Sequence, residues 1–291
     1  MSKTNHIFIF GLGYVGRHLG HELSRQGWAV TATTRQPEII AGQIPDHWTL
    51  LAFTAGQPID GLADHLGQAT HLVSTISALS GSDPVLDQHS QDIESFTGWT
   101  GYLSATSVYP DRHGGWVDET TPPDPVTQRG KARLAAEQRW QAAASAEIFR
   151  LAGIYGPRRN AIADLRAGTA RIIDHPGQVF NRIHQSDISR IIIAAMQNPR
   201  PGRIINLSDN KPAPQGDVVR YAASLCGIVP PDPVPLDKAG LSEMGRSFYA
   251  ARRRVRSTII ADELGVDLLY PDYETGLKAL LAEEAADAAS G

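Results

Sequence analysis

Three glycines and a few basic residues are the parts of this chain whose types and spacing could do chemistry. The glycines read Gly11-x-Gly13-x-x-Gly16 in GLGYVG, directly after the apolar run His6 to Phe10. A turn of this kind cradles a dinucleotide pyrophosphate: the first glycine permits a tight bend, the second lets phosphate approach the backbone, and the third allows the next helix to lie close to the strand. The N–H groups at that helix start, with Tyr14 and Val15 in its first turn, face the phosphates. A glycine turn without a ligand is the plain alternative, and the strand, turn and helix context argues against it. In a NAD site a carboxylate roughly 20 residues further on holds the ribose 2′-hydroxyl. Here that region is TATTRQPE, with Thr33 and Thr34 at the expected positions and Arg35 after them. A guanidinium there meets a 2′-phosphate as a charge-assisted pair, so NADP(H) is expected over NAD. The competing fate of Arg35 is a solvated loop residue.

A second group lies in TQRGKARLAAEQ, residues 127–138. Arg129 and Arg133 fall on one helical face, where like charges disfavour the helix by roughly 0.2 to 0.5 kcal/mol. Arginines so placed suit bidentate binding of a substrate carboxylate or phosphate. The alternative pairs Arg133 with Glu137 one turn on and leaves Arg129 in solvent. Ser104 and Thr106 flank Ala105 in LSATSVYPD, and strand alternation turns both away from the face of Ala105. Ser104 and Thr75 are counted with the cofactor contacts and Thr106 with the candidate catalytic groups. His184 in RIHQSDIS is a candidate acid or base near neutral pH; its plainer role is a hydrogen-bonded residue beside a helix capped by Ser186 or Asp187. Tyr109 and Tyr155 are read as packing residues. His18 and His21, opposite the apolar stripe Val15, Leu19 and Leu23, are expected on a solvated face, and no metal is expected. The basic run YAARRRVRS, 249–257, is read as solvated charge.

The elements that must position these groups follow from periodicity. Apolar, β-branched or aromatic runs at residues 6–10, 28–33, 48–53, 71–76, 101–105, 148–154 and 203–207 predict strands. Helix-like segments lie at about 84–96, 127–144, 187–197 and 215–226, besides the one after the glycine turn. The triplet Ser82-Asp83-Pro84 supplies a capping side chain before a first-turn proline. Strands alternating with helices predict a parallel, doubly wound α/β sheet of the Rossmann type. Prolines 212, 214, 230, 231, 233 and 235 mark a smaller C-terminal lobe, closed by a helix from about Tyr273. The final AADAASG is expected to fray.

Bulk properties exclude several classes. The 291 residues are 42% hydrophobic, enough for a sizeable core. A net charge of −4 provides no basic field for nucleic acid. The single Cys226 forms no intramolecular disulfide or thiolate metal site and fits the reducing cytosol. No signal peptide is visible. The longest apolar runs, such as IIIAAM, fall far short of the roughly 18 residues that suggest a membrane span.

With GLGYVG, LSATSVYPD, VDETTPPDPVTQRGKARLAAEQ, RLAGIYGP and FNRIHQSDIS in that order, the sequence resembles the extended short-chain dehydrogenase/reductase superfamily, in its atypical NAD(P)-dependent epimerase/dehydratase-like branch. The resemblance covers residues 5 to 275. It implies a Rossmann domain over 1–155, a substrate lobe over 156–291 from which 179–209 returns to the main domain, and a cofactor cleft between them. It also implies a working helix with Tyr-x-x-x-Lys, in which the lysine lowers a phenol pKa from near 10. Gly130 and Glu137 set the register, and in it Arg129 falls on the tyrosine, Arg133 on the lysine and Ala105 on the assisting Ser/Thr. A slide of two puts Lys131 on the lysine but Thr127 on the tyrosine. Guanidinium stays protonated, so Arg129 cannot act as the base. The expectation is an NADP-dependent oxidoreductase or epimerase-like enzyme on a small or nucleotide-linked substrate, its proton supplied by water, substrate or His184. The alternative is a noncatalytic NADP(H)-binding sensor or assembly protein. A cytoplasmic protein is expected, without nucleic-acid or membrane partners; a homodimer is compatible with both readings.

Overall fold

The computed structural model describes residues 5–78 and 82–290, with side chains to Ala286. The elements begin β1 (His6–Phe10), α1 (Tyr14–Arg25), β2 (Ala29–Thr34), α2 (Pro37–Ile40), β3 (Thr49–Ala52), α3 (Leu62–Gln68), β4 (His71–Ser74) and α4 (Pro84–Glu94). They continue with β5 (Trp99–Ala105), β6 (Trp116–Val117), α5 (Gln128–Ala144), β7 (Glu147–Leu151), β8 (Gly153–Tyr155), α6 (Ala161–Arg166), β9 (Ile172–Asp174), β10 (Arg182–His184) and α7 (Gln185–Gln197). The last are β11 (Ile204–Leu207), α8 (Gln215–Cys226), β12 (Pro233–Pro235), α9 (Glu243–Ser247), β13 (Arg254–Val255) and α10 (Tyr273–Ser290).

Seven strands form one sheet in the order β11-β7-β5-β4-β1-β2-β3. The pairs β1·β2, β1·β4, β2·β3 and β4·β5 are parallel. From β1 the chain steps outward to β2 and β3, then returns to β4 on the other side. This is the doubly wound Rossmann topology expected from the sequence, and its strand order reverses between β1 and β4, where open α/β sheets leave a crevice at the strands' carboxyl ends.

Ile7, Phe8, Ile9 and Phe10 are all fully buried, as a central parallel strand requires. Phe8 and Phe10 share one face and pack in a core with Leu66 of α3, Val85 of α4, Tyr102 of β5 and Trp140 of α5. The Tyr102 and Trp140 rings stack at 5.7 Å. Ile9 points to the opposite face, against which α1 lies: a Cβ on Gly16 would come within 3.2 Å of Ile9 Cγ2. Asp83 caps α4, accepting from Val85 and Leu86 N–H at 3.1 Å each, and also accepts from Trp140 Nε1 at 2.9 Å. The carboxyl expected to cap the helix thus also ties α4 to α5.

Glu137 does not pair with Arg133. It forms a forked ion pair with Arg150, Nη2 to Oε2 at 2.8 Å, with both side chains 2% exposed. A second pair, Arg203 with Glu147, joins at 2.7 Å. Both carboxylates are buried, and each would be costly to leave without its cation.

The chain forms two compact units: unit 1 is Met1–Val108, Gln128–Arg150 and Ser189–Ile205, and unit 2 is Tyr109–Thr127, Leu151–Ile188 and Asn206–Gly291. The expected boundary at 155 falls inside unit 2. That unit holds the two-stranded parallel ladders β10·β8, β12·β9 and β13·β6, over a core that includes Tyr155, Ile162, Ile172, Ala222 and Leu277. α10 runs to Ser290, through the stretch expected to fray; its alanines favour helix. Among the described residues no helix is long and apolar enough to cross a membrane, and no group of three or more His, Cys, Asp or Glu could hold a metal ion.

Candidate functional site

The glycine turn sits where β1 ends, beside the start of the segment after β4. Gly11 has φ +91°, which side chains rarely adopt, and a Cβ there would lie 2.8 Å from both Thr75 Oγ1 and Ile76 Cγ1. Its N–H donates to Thr33 Oγ1 at 2.9 Å, and the Leu12 N–H to the Thr33 carbonyl at 2.8 Å. From the other side, Thr75 Oγ1 donates to the Gly11 carbonyl at 2.6 Å. Thr33 is wholly buried, consumed by these contacts. Gly16 is required by packing, because a Cβ would meet the Gly11 carbonyl oxygen at 2.3 Å.

Gly13 differs from its two neighbours. Its φ of −81° suits any residue, and a Cβ there would have no atom within 4 Å. Neither strain nor packing inside the protein calls for glycine. It is the N-cap of α1, which has no side-chain cap and no acidic residue in its first turn. The helix therefore presents backbone donors and the positive end of its dipole over open space, where a side chain would stand in the way of an incoming anion. Tyr14 is half-buried and Val15 buried. Thr34 is half-buried at the end of β2; Arg35 is exposed and makes no hydrogen bond or ion pair among the described residues.

β5 and α5 carry the second group. Ser104 is 4% exposed and its hydroxyl has no partner among the described residues. Ala105 ends β5, and half-buried Thr106 opens a short 3-10 turn to Val108. Arg129 is exposed at the start of α5. Arg133 is half-buried: Nη1 donates to the Leu103 carbonyl at 2.8 Å and Nη2 to the Ser77 hydroxyl. Burial pushes the neighbouring Tyr102 phenol up to about 12, against the pull of the Arg133 charge.

In unit 2, His184 is 2% exposed. Its Nδ1 accepts from the Ser186 N–H at 3.2 Å, so this nitrogen carries no proton. The ring lies against Tyr270 at 4.0 Å and Tyr155 at 5.1 Å. Asp187 next to it is fully buried and accepts from the Leu269 and Tyr270 N–H groups at 2.7 and 3.0 Å. Sequence reasoning missed Asp209, which is 1% exposed. Burial raises its carboxyl to about 7; the Lys211 N–H and the Arg182 charge oppose this, while Asp272 and Asp187 add to it. An acidic residue just past a strand's end, in INLSDN, was the available signal.

Two expectations about surface residues are corrected. His18 Nδ1 bonds Ser189 Oγ at 2.8 Å and His21 packs on the Trp48 ring at 4.9 Å, so neither stands on a solvated face; burial lowers both imidazoles. The basic run is largely spent within unit 2: Arg253 donates to the Tyr109 carbonyl at 3.0 Å, Arg254 to the Gly114 carbonyl, and Arg256 pairs with Asp118 at 2.9 Å. Tyr109 does more than pack, since its hydroxyl donates to Asn206 Oδ1 at 2.8 Å.

No family model matches the chain. Protein YeeZ of Escherichia coli strain K12 is 31% identical over 282 residues, covering 91% of this chain and 96% of YeeZ. The structure of a conserved protein of unknown function from Silicibacter pomeroyi DSS is 44% identical, with a TM-score of 0.86 over 96% of this chain and 99% of that one. A candidate NAD-dependent epimerase/dehydratase from Methylobacillus flagellatus is 27% identical, with a TM-score of 0.73 over 98% of this chain and all of the other. MoeE5, solved with UDP-glucuronic acid and NAD, shares the fold at 21% identity and a TM-score of 0.76, over 97% of this chain and 100% of its own. By its full-length likeness to YeeZ and its fold, the chain belongs to the YeeZ family, within the NAD(P)-dependent epimerase/dehydratase-like branch of the extended short-chain dehydrogenase/reductase superfamily.

Proposed function

We propose that unit 1 binds a nicotinamide dinucleotide, NADP(H) in preference to NAD(H), and that the protein is an oxidoreductase or epimerase-like enzyme acting on a small or nucleotide-linked substrate. The observation that carries this reading is Gly13: a glycine that neither backbone strain nor packing requires, over an uncapped helix start at the reversal of the sheet order. The NAD and UDP-glucuronic acid bound by MoeE5 support it. When bound, the dinucleotide supplies or accepts hydride. The backbone from Gly13 to Gly16 would hold its pyrophosphate and Arg35 its 2′-phosphate, with Thr34, Thr75 and Ser104 as further cofactor contacts.

In the family register Arg129 and Arg133 replace the tyrosine and lysine, and guanidinium cannot serve as the base. Exposed Arg129 is the candidate for a substrate anion, and Thr106 and His184 are candidates for proton handling beside water and the substrate itself. A cytoplasmic protein without nucleic-acid or membrane partners completes the reading, and sedimentation would test for a homodimer.

Calorimetric titration tests the binding claim. NADPH should bind with NADH weaker by at least about tenfold, roughly 1.4 kcal/mol; binding of neither overturns it. A screen of nucleotide sugars and small carbonyl compounds for NADPH oxidation then tests the enzyme claim. The second reading, a noncatalytic NADP(H)-binding sensor or assembly protein, draws on Ala105 and on an Arg133 whose terminal nitrogens are bonded inside unit 1. It predicts NADPH binding without turnover on any of these substrates.

A further inference from the structure

We propose that Arg133 is a positioning residue for the dinucleotide turn: from α5 it holds the segment Thr75–Ser77 against Gly11, and it acts through that segment without touching the ligand. This rests on the dinucleotide-binding reading of unit 1.

The backbone pairing of β4 with β5 ends at Ser74↔Tyr102. One residue further on β5, the Leu103 carbonyl accepts from Arg133 Nη1 at 2.8 Å; three residues beyond the end of β4, the Ser77 hydroxyl accepts from Nη2. The guanidinium therefore continues the connection between the two strand ends past the last rung of the ladder. The segment it secures is the one on which the glycine turn rests. Thr75 donates its N–H to the Phe10 carbonyl at 2.9 Å and its hydroxyl to the Gly11 carbonyl at 2.6 Å. Thr75 and Ile76 leave no room for even a methyl group on Gly11.

Release of Ser77 would let this segment drift, and the Gly11 carbonyl with it. The N–H groups beyond Gly13 would lose the fixed geometry that phosphate binding needs, since preorganised donors bind without an ordering cost. A planar fork can span two separate acceptors in this way, whereas a lysine ammonium is a point donor. This also accounts for a second arginine four residues from Arg129 despite the repulsion between like charges.

The test is calorimetric titration of NADPH and NADH into the full chain and its Arg133→Ala, Arg133→Lys, Ser77→Ala and Arg133→Ala/Ser77→Ala variants, with thermal unfolding measured alongside. Arg133→Ala and Arg133→Lys should each weaken both dinucleotides equally, by about tenfold. Ser77→Ala should weaken both by a smaller, equal factor, and the double variant should bind no worse than Arg133→Ala alone, because the two residues act as one unit. A purely structural arginine would lower the melting temperature without this non-additivity in affinity. Wild-type affinity in Arg133→Ala, losses that add in the double variant, or a loss confined to NADPH would each overturn the inference; the last would mean direct contact with the 2′-phosphate. Should Arg133→Ala fail to fold, Ser77→Ala decides alone: equal weakening supports the inference and unchanged affinity overturns it. Absence of dinucleotide binding by the wild type removes the underlying reading itself, an outcome distinct from the variant results.

Discussion

Replacing Asp209 with Asn removes a buried carboxyl whose titration should oppose folding. Asp209 is 1% exposed; its Oδ1 accepts from the Lys211 N–H at 3.2 Å, while Oδ2 has no partner among the described residues. Burial raises its pKa from 3.8 to about 7, with Arg182 too weak an offset against desolvation. Because the folded chain holds this proton more tightly than the unfolded chain, the stability it contributes is fully present below about pH 4, falls as pH rises towards about 7, and is flat above that. Each pH unit in that window costs about 1.4 kcal/mol, giving a ceiling of about 4 kcal/mol that water entry and relaxation would lower to about 2. Asn is nearly isosteric and stays neutral. Urea unfolding followed by circular dichroism should therefore show Asp209→Asn close to wild type at about pH 4, more stable by about 1 kcal/mol at about pH 5 and by about 2 to 4 kcal/mol at about pH 8. If the variant is the less stable protein at the higher pH, or if the two stability profiles run parallel, the carboxyl is ionised and well paired in the fold, and the reasoning fails.

Gly13→Ala should fold like wild type, because its φ is ordinary and its Cβ direction open, yet lose NADPH affinity; Gly16→Ala should lose about 1 to 3 kcal/mol of stability, because its Cβ would collide with backbone. Thermal unfolding and calorimetry on both variants separate the two glycine roles. Arg35→Ala should weaken NADPH by about tenfold and leave NADH unchanged, and equal weakening of the two would refute a 2′-phosphate contact. Glu137→Ala should cost about 3 to 5 kcal/mol, measured by urea unfolding, because Arg150 would remain buried without its carboxylate.

Parts of the fold were legible because their causes are local. The run His6 to Phe10 coincides with β1, and the segment 215–226 with α8, since apolar periodicity and turn residues act within a few positions. The positive φ of Gly11 and the close approach of Gly16 to the Gly11 carbonyl likewise arise inside one turn. Short elements such as α3 and α6 escaped notice because seven and six residues offer too little periodicity. The two-residue strands β6 and β13 have none of their own and exist through pairing across more than a hundred residues of chain.

The sequence by itself determined the doubly wound sheet, the glycine turn and the family, because hydrophobic pattern, turn chemistry and motif order are written along the chain. Only the tertiary structure decided the partners of the charged and polar side chains. A helical wheel offers Glu137 to Arg133, but Arg150 takes that carboxylate and Arg133 reaches instead to Ser77 and Leu103. His18 meets Ser189, 171 residues away, and Asp209 acquires its high pKa from burial among Asp187, Asp272 and Arg182. Hydrogen bonds and charges act over a few ångströms of space, and residues distant in sequence come within that range only once the sheet and its helices have packed.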